Sequence, residues 1–165
     1  MSRLNDILTP DILRKLAKVN ILKFTVRGIS MCPLIQPDDI VEIAASEKYE
    51  PPDILLYPYK EEGLLLHRLI KVDERLFCKG DNAFRLEDIC QKEVIGKVVG
   101  LQRNGKKICI PAVNEQALAL SFQISEDFRK GKYDKNIVVQ QDAYLTFSAY
   151  LRKLNNDEDN KKLIE

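Results

Sequence analysis

"GLLLHRLIKV", residues 63–72, is the stretch on which the fold turns. Its length and apolar content fit a strand, and Glu62-Gly63 just before it is a turn signal. In a strand, alternate side chains face opposite ways. Leu65, His67 and Leu69 then share one face, and Leu64, Leu66, Arg68 and Ile70 share the other. The same period of two extends outward from this segment. "ILKFTVR" (21–27), "DIVEIA" (39–44), "DILLYPY" (53–59), "RLFCKG" (75–80) and "EVIGKVVGLQRNGKKICI" (93–110) all read as short strands. Turn signals separate them at Pro37-Asp38-Asp39, Pro51-Pro52-Asp53, Gly80-Asp81-Asn82 and Asn104-Gly105. Asn-Gly favours a two-residue hairpin. Together these predict a compact, coiled β-sheet over about residues 21–110.

Helical signals lie on either side of that region. Before it, Thr9 suits a helix cap, Pro10 the first helical position, and Asp11 the positive end of the dipole. Ile12, Leu13, Leu16 and Ala17 form an apolar face, and Asn20 marks a stop. After Pro111, "NEQALALSFQISEDFRK" begins at a capping Asn114, and "DAYLTFSAYLRKL" begins at Asp142, expected as its cap. These helices are expected to pack against the sheet. "NNDEDNKKLIE" (155–165) reads as a charged tail. The expected class is mainly β with peripheral helices, α+β. The division is an N-terminal helix (1–20), a β core (21–110) and a helical extension (111–165).

Composition narrows the function. The 165 residues are 45% hydrophobic, enough for a real core in one domain. Charged residues make up 31% but leave a net charge of only +1, which gives no reason to expect nucleic acid as a partner. Cys32, Cys78, Cys90 and Cys109 are scattered, with no paired spacing for zinc, so no metal and no cofactor is expected. They read as reduced thiols of a cytoplasmic protein. No apolar run approaches the roughly 20 residues that span a bilayer. The charged start "MSRLNDILTPDILRKLAKVN" does not read as a secretory signal.

His67 is the one histidine of the chain. A single His on an apolar strand is usually a core residue with one satisfied hydrogen bond. A lone serine before a proline, such as Ser30, is usually a turn residue. The two gain weight as a pair. A serine hydroxyl needs a neighbouring base to act as a nucleophile, and histidine suits that role at neutral pH. The base works best when an acceptor holds its second nitrogen. Asp81, with Glu87 and Asp88 further along "FCKGDNAFRLED" (77–88), can supply it.

"GISMCPLIQPDDIVEI" (28–43) resembles the Gly-x-Ser-Met-x-Pro box of type I signal peptidases. "PPDILLYPY", "HRLIKV", "FCKGDNAFRLED" and "VIGKVVG" then follow in the order expected of that family. The resemblance spans about residues 22–101 and implies the signal-peptidase/LexA-like coiled β-sheet core. His67-Arg68 is similar to the archaeal and endoplasmic-reticulum form, which uses a histidine base instead of lysine. The resemblance implies Ser30 as nucleophile, His67 as general base and acid, and Asp81 as an orienting or structural acid. Glu87 or Asp88 would match a second acid. The Ser30 N–H would bind the oxyanion. Gly28 stands where lysine-type members carry a hydroxyl, and Met31 is expected to pack beneath the site. Two positions depart from the family: Asp38 replaces the usual Gly of Pro-Gly-Asp, and Leu34 the frequent Thr.

The resemblance implies a serine endopeptidase that cuts after small residues. The substrate would lie as an added strand near residues 24–28 and 64–67. The lack of an anchor points away from secretory signals and towards trimming a leader from a specific peptide or protein. Segment 111–165 is the place for a partner protein or for substrate selection. The alternatives are a LexA-like regulator that cuts itself and a binding module on the same fold. Against the regulator, the N-terminal arm holds one short helix, too little for a helix-turn-helix module. No Ala-Gly dipeptide precedes Ser30 as an internal cleavage site.

Overall fold

The computed structural model describes residues 8–157. The first residues of the charged N-terminus and most of the charged tail lie outside that range.

Helix α1 (Pro10–Ala17) begins as its sequence dictates. The Thr9 hydroxyl accepts the Ile12 N–H at 3.4 Å, and Asp11 pairs with Arg14 one turn on. The helix ends at Ala17, before the expected stop at Asn20. Only Leu13 and Ala17, one turn apart, are buried. Ile12 and Leu16 remain about one-third exposed, so the apolar stripe is narrower than the sequence suggests. Arg14 donates to the Glu93 carbonyl at 3.0 Å and fastens the helix to the sheet.

Eight strands form one antiparallel, curled sheet. They are β1 (Leu22–Thr25), β2 (Ile40–Ala44), β3 (Ile54–Pro58), β4 (Leu64–Val72), β5 (Leu76–Lys79), β6 (Glu87–Ile89), β7 (Gly96–Arg103) and β8 (Lys106–Ile108). The order across the sheet is β1-β2-β7-β3-β4-β5-β6, with β8 paired to the end of β7. Strand β6 has no counterpart in the sequence reading. Strand β7 starts later than the apolar run beginning at Glu93. A short 3-10 turn at Gln91–Glu93 intervenes, closed by the Glu93 carboxylate on the Cys90 N–H. The β7–β8 hairpin turns at Asn104 and Gly105, both at positive φ (53° and 76°), as an Asn-Gly turn requires.

The alternation in β3 and β4 sorts the core. Ile54 and Leu56 face a cluster with Leu13, Ala17, Met31, Ile35, Val41 and Leu101. Leu55 and Tyr57 face the other way, into a cluster with Leu69, Leu76, Cys78 and Ile89. Strand β3 is therefore buried on both faces, which explains its unbroken apolar run.

The extension folds into α2 (Glu115–Lys130), α3 (Lys135–Val138) and α4 (Asp142–Asn156). Asn114 caps α2 as expected, accepting the Ala117 N–H at 2.9 Å. Asp142 is not the cap of α4. It is the first helical residue, and Gln141 holds the cap position without a side-chain bond. Phe147 and Leu151 of α4 pack with Ala117, Leu118 and Ile124 of α2 over Ile70 and Leu34 of the β domain. The helices thus lie against the sheet. No helix among the described residues is long and apolar enough to cross a membrane.

Candidate active site

Ser30 sits in the loop between β1 and β2. The loop is closed at its base by Val26 N–H to Asp39 O and Asp38 N–H to Val26 O, both 2.8 Å. Asp39 is buried at that base and takes two bonds from Arg103, at 2.8 and 2.7 Å. The turn Gly80-Asp81-Asn82 holds the top of the loop. Asn82 gives its backbone N–H to the Ser30 carbonyl at 2.7 Å and its side-chain amide to the Ile29 carbonyl at 3.3 Å. The serine is therefore fixed from both sides.

The Ser30 Oγ lies 3.1 Å from His67 Nε2, and His67 Nδ1 lies 2.5 Å from Glu87 Oε1. Chemistry assigns the tautomer. A carboxylate accepts only, so Nδ1–H donates to Glu87 and Nε2 is left to accept the Ser30 hydroxyl proton. The strand registers explain why Glu87 fills this position. Leu69 pairs with Cys78, and Cys78 with Glu87, across β4, β5 and β6. His67 lies two residues from Leu69, on the same face. Both His67 and Glu87 are buried, at 5% and 1% exposure, so this pair works out of bulk water.

Asp81 does not reach His67. Its carboxylate takes two bonds from Arg68, at 2.9 and 2.8 Å, on the opposite face of β4. Of the two roles expected for Asp81, orienting or structural, the geometry fits the structural one: it forms a buried ion pair that anchors the turn. Asp88 is exposed and pairs with Arg75. Of the three carboxylates in this segment, only Glu87 meets the histidine.

On the His67 face Glu87 carries the negative charge, with the Arg85 guanidinium 3.7 Å from its Oε1. Burial first, then the neighbouring Cys78 thiol and Glu87, push the Tyr57 phenol up. Burial, and then Glu87, push the Cys78 thiol up as well. Both groups therefore stay neutral. Tyr57 meets the imidazole edge-on, with ring centroids 6.5 Å apart. Cys32, two residues beyond Ser30, is also pushed up, by burial and then by Asp39. That disfavours a thiolate there.

Lys79 is a functional group the sequence reading passed over. It is fully buried, donates to the Gly80 carbonyl at 3.0 Å and lies 5.4 Å from the Phe147 ring centroid. Burial pushes its ammonium down to about 8. Its pairing with Arg68 puts it on the Arg68 face, so it does not serve as a base for Ser30. A lysine inside an apolar strand run was the available signal.

Met31 is buried beneath the loop, and its sulfur accepts the Asp81 N–H at 3.5 Å. The Ser30 N–H donates to no acceptor among the described residues. Gly28 has open space where a Cβ would stand.

A cleft of about 250 Å³ leads to Ser30. Phe24 to Gly28 form one side, Leu64 to Leu66 the other, and Met31, Val41 and Leu56 contribute apolar surface. The outer edge of β1 pairs with no strand among the described residues. Residues Leu64 to His67 pair with β3 on one edge, while β5 joins β4 only from Arg68 onward. Both walls thus offer open strand edges. Comparison with protein families, curated proteins and solved structures found no match for this chain.

Proposed function

We propose that the chain is a serine endopeptidase with a signal-peptidase/LexA-like core. The observation that carries this is the continuous Ser30–His67–Glu87 line. Ser30 Oγ attacks the scissile carbonyl, and its proton passes to His67 Nε2. The Ser30 N–H stabilises the oxyanion as the tetrahedral intermediate forms. Glu87 holds the ring and balances the imidazolium. His67 then gives the proton to the leaving amine as the C–N bond breaks, leaving an acyl-enzyme on Ser30. Water, deprotonated by His67, releases the acid and restores the hydroxyl.

The open edges of the first cleft suit an extended peptide that adds as a strand. Its modest volume favours small side chains before the cut. The four free thiols fit a reducing compartment, and we place the activity in the cytoplasm, on a leader of a specific peptide or protein.

The test is cleavage of a peptide library, read by mass spectrometry. Ser30→Ala and His67→Ala are each expected to lower the rate by about 10⁴-fold or more. Cleavage that survives Ser30→Ala removes the nucleophile. Glu87→Gln keeps the shape of the acid and is expected to cost about 10³–10⁴ in kcat. Asp81→Asn instead leaves Arg68 buried without its counter-charge and is expected to cost about 3–5 kcal/mol of stability. An Asp81→Asn variant that is inactive at full stability, beside an active Glu87→Gln, would reverse the assignment of the acid.

A further inference from the structure

A second cleft, of about 350 Å³, opens on the other side of the Ser30–His67 pair. His67, Glu87, Asn82, Phe84, Phe128 and Lys135 are among its lining residues. The two clefts divide the pair between them. The first touches Ser30 and not His67; the second touches His67 and not Ser30. In acyl transfer the acyl half of the substrate stays on the nucleophile. The amine half takes its proton from the base and departs past it.

Helices α2 and α3 build part of the second cleft. Phe84, from the β5–β6 connection, lies 5.6 Å from Phe128 of α2 and stacks on Tyr144 of α4 at 5.9 Å. Lys135 of α3 stands over the Phe84 ring, its ammonium 5.8 Å from the centroid. The other charges here are committed. Arg85 makes two bonds to Glu62, at 2.7 and 2.9 Å, and Glu87 is held by His67. Asp134, next to Lys135, caps the Asn136 N–H at 2.9 Å. Lys135 has no carboxylate partner among the described residues.

We propose that this cleft holds the part of the substrate that follows the scissile bond, and that it selects there an apolar side chain against Phe84 and Phe128 and an acidic one at Lys135. The inference rests on the peptidase reading. The helical extension then sets specificity on the leaving side.

Two measurements test it. In the first, the Ser30→Ala protein is titrated by NMR with the free-amine peptide amides Phe-Glu-Ala-Gly and Phe-Lys-Ala-Gly, which mimic the leaving segment. The Glu peptide is expected to move the Phe84, Arg85 and Lys135 amide resonances and to bind at least tenfold more tightly than the Lys peptide. Lys135→Glu should reverse that order. Equal binding, shifts elsewhere, or no binding of either peptide overturns the proposal. In the second, wild-type cleavage sites in a random library are aligned on the cut. Acidic residues should be enriched within about four positions after it, and Lys135→Glu should abolish the enrichment. Ser30-dependent cuts without enrichment overturn this inference and leave the peptidase reading standing. An absence of Ser30-dependent cuts overturns the peptidase reading itself, and the NMR arm still judges the cleft.

Discussion

Asp38 holds a backbone φ of 72° at the foot of the Ser30 loop. That is the left-handed region, which costs most L-residues roughly 1–2 kcal/mol and which Asp and Asn tolerate better than others. A glycine here would adopt the same backbone without that cost. Asp38→Gly is expected to raise stability by about 0.5–1 kcal/mol, because the relief of strain exceeds the added freedom of the unfolded chain. A urea midpoint measures it; a lower midpoint would mean that the Asp38 side chain contributes more than its conformation costs. Legibility at this scale is uneven. Ser30 and His67 stand out in the sequence because the proposed chemistry needs those two residue types and the chain has one histidine. The acid does not. Asp81, Glu87 and Asp88 lie close together in sequence, and only the register of β5 with β6 brings Glu87 to the face of His67.

The turn at Gly80 is an element with two tasks. It ends β5, and it supports the serine. A Cβ on Gly80 would lie 2.7 Å from the Ser30 carbonyl oxygen and 3.0 Å from His67 Nε2. The first neighbour is backbone, held by its bond to Asn82, and has little room to retreat. Gly80→Ala is therefore expected to cost about 1–3 kcal/mol and to shift the Ser30 loop enough to impair cleavage. Gly28→Ala is the control, with nothing within 4 Å of its Cβ and a stability change within about 0.5 kcal/mol. Thermal unfolding of the two variants side by side decides the point, and equal midpoints would refute the close approach. Elements with clear punctuation were readable in advance, as at Thr9-Pro10, Asn104-Gly105 and Asn114. Strand β6 was not, because three residues carrying two acids show no period. The cap of α4 was misread because Asp142 also suits the first turn of a helix.

Across the whole molecule, Lys79 joins the two layers. Its backbone lies in the sheet, and its ammonium lies by the ring of Phe147 in α4. The folded protein releases this proton near pH 8, whereas the unfolded chain keeps it to about 10.5. Between those values the unfolded state binds more protons, so stability rises with pH. Relative to Lys79→Met, the wild type should gain on the order of 3 kcal/mol across that window. Denaturant titrations of both proteins at pH 7, 9 and 10.5 check this; parallel profiles would mean that Lys79 is not desolvated. The position of the helices over the sheet was legible only as an expectation of packing. Contacts such as Phe147 with Lys79 join residues far apart in sequence, and no local pattern encodes them.

His67 and Arg68 are neighbours in the chain, yet they belong to opposite surfaces of one strand. The first carries the proposed proton transfers; the second neutralises Asp81 inside the protein. A single-residue insertion or deletion at the start of β4 would therefore exchange their surroundings. A deletion would bring the guanidinium to the His67 position beneath the serine, and an insertion would bring the imidazole to the Arg68 position against Asp81. Length variation in this protein should thus be confined to the connections around β4 and absent from the strand itself. A laboratory selection for active variants with random insertions would display that as an empty interval over residues 64–68.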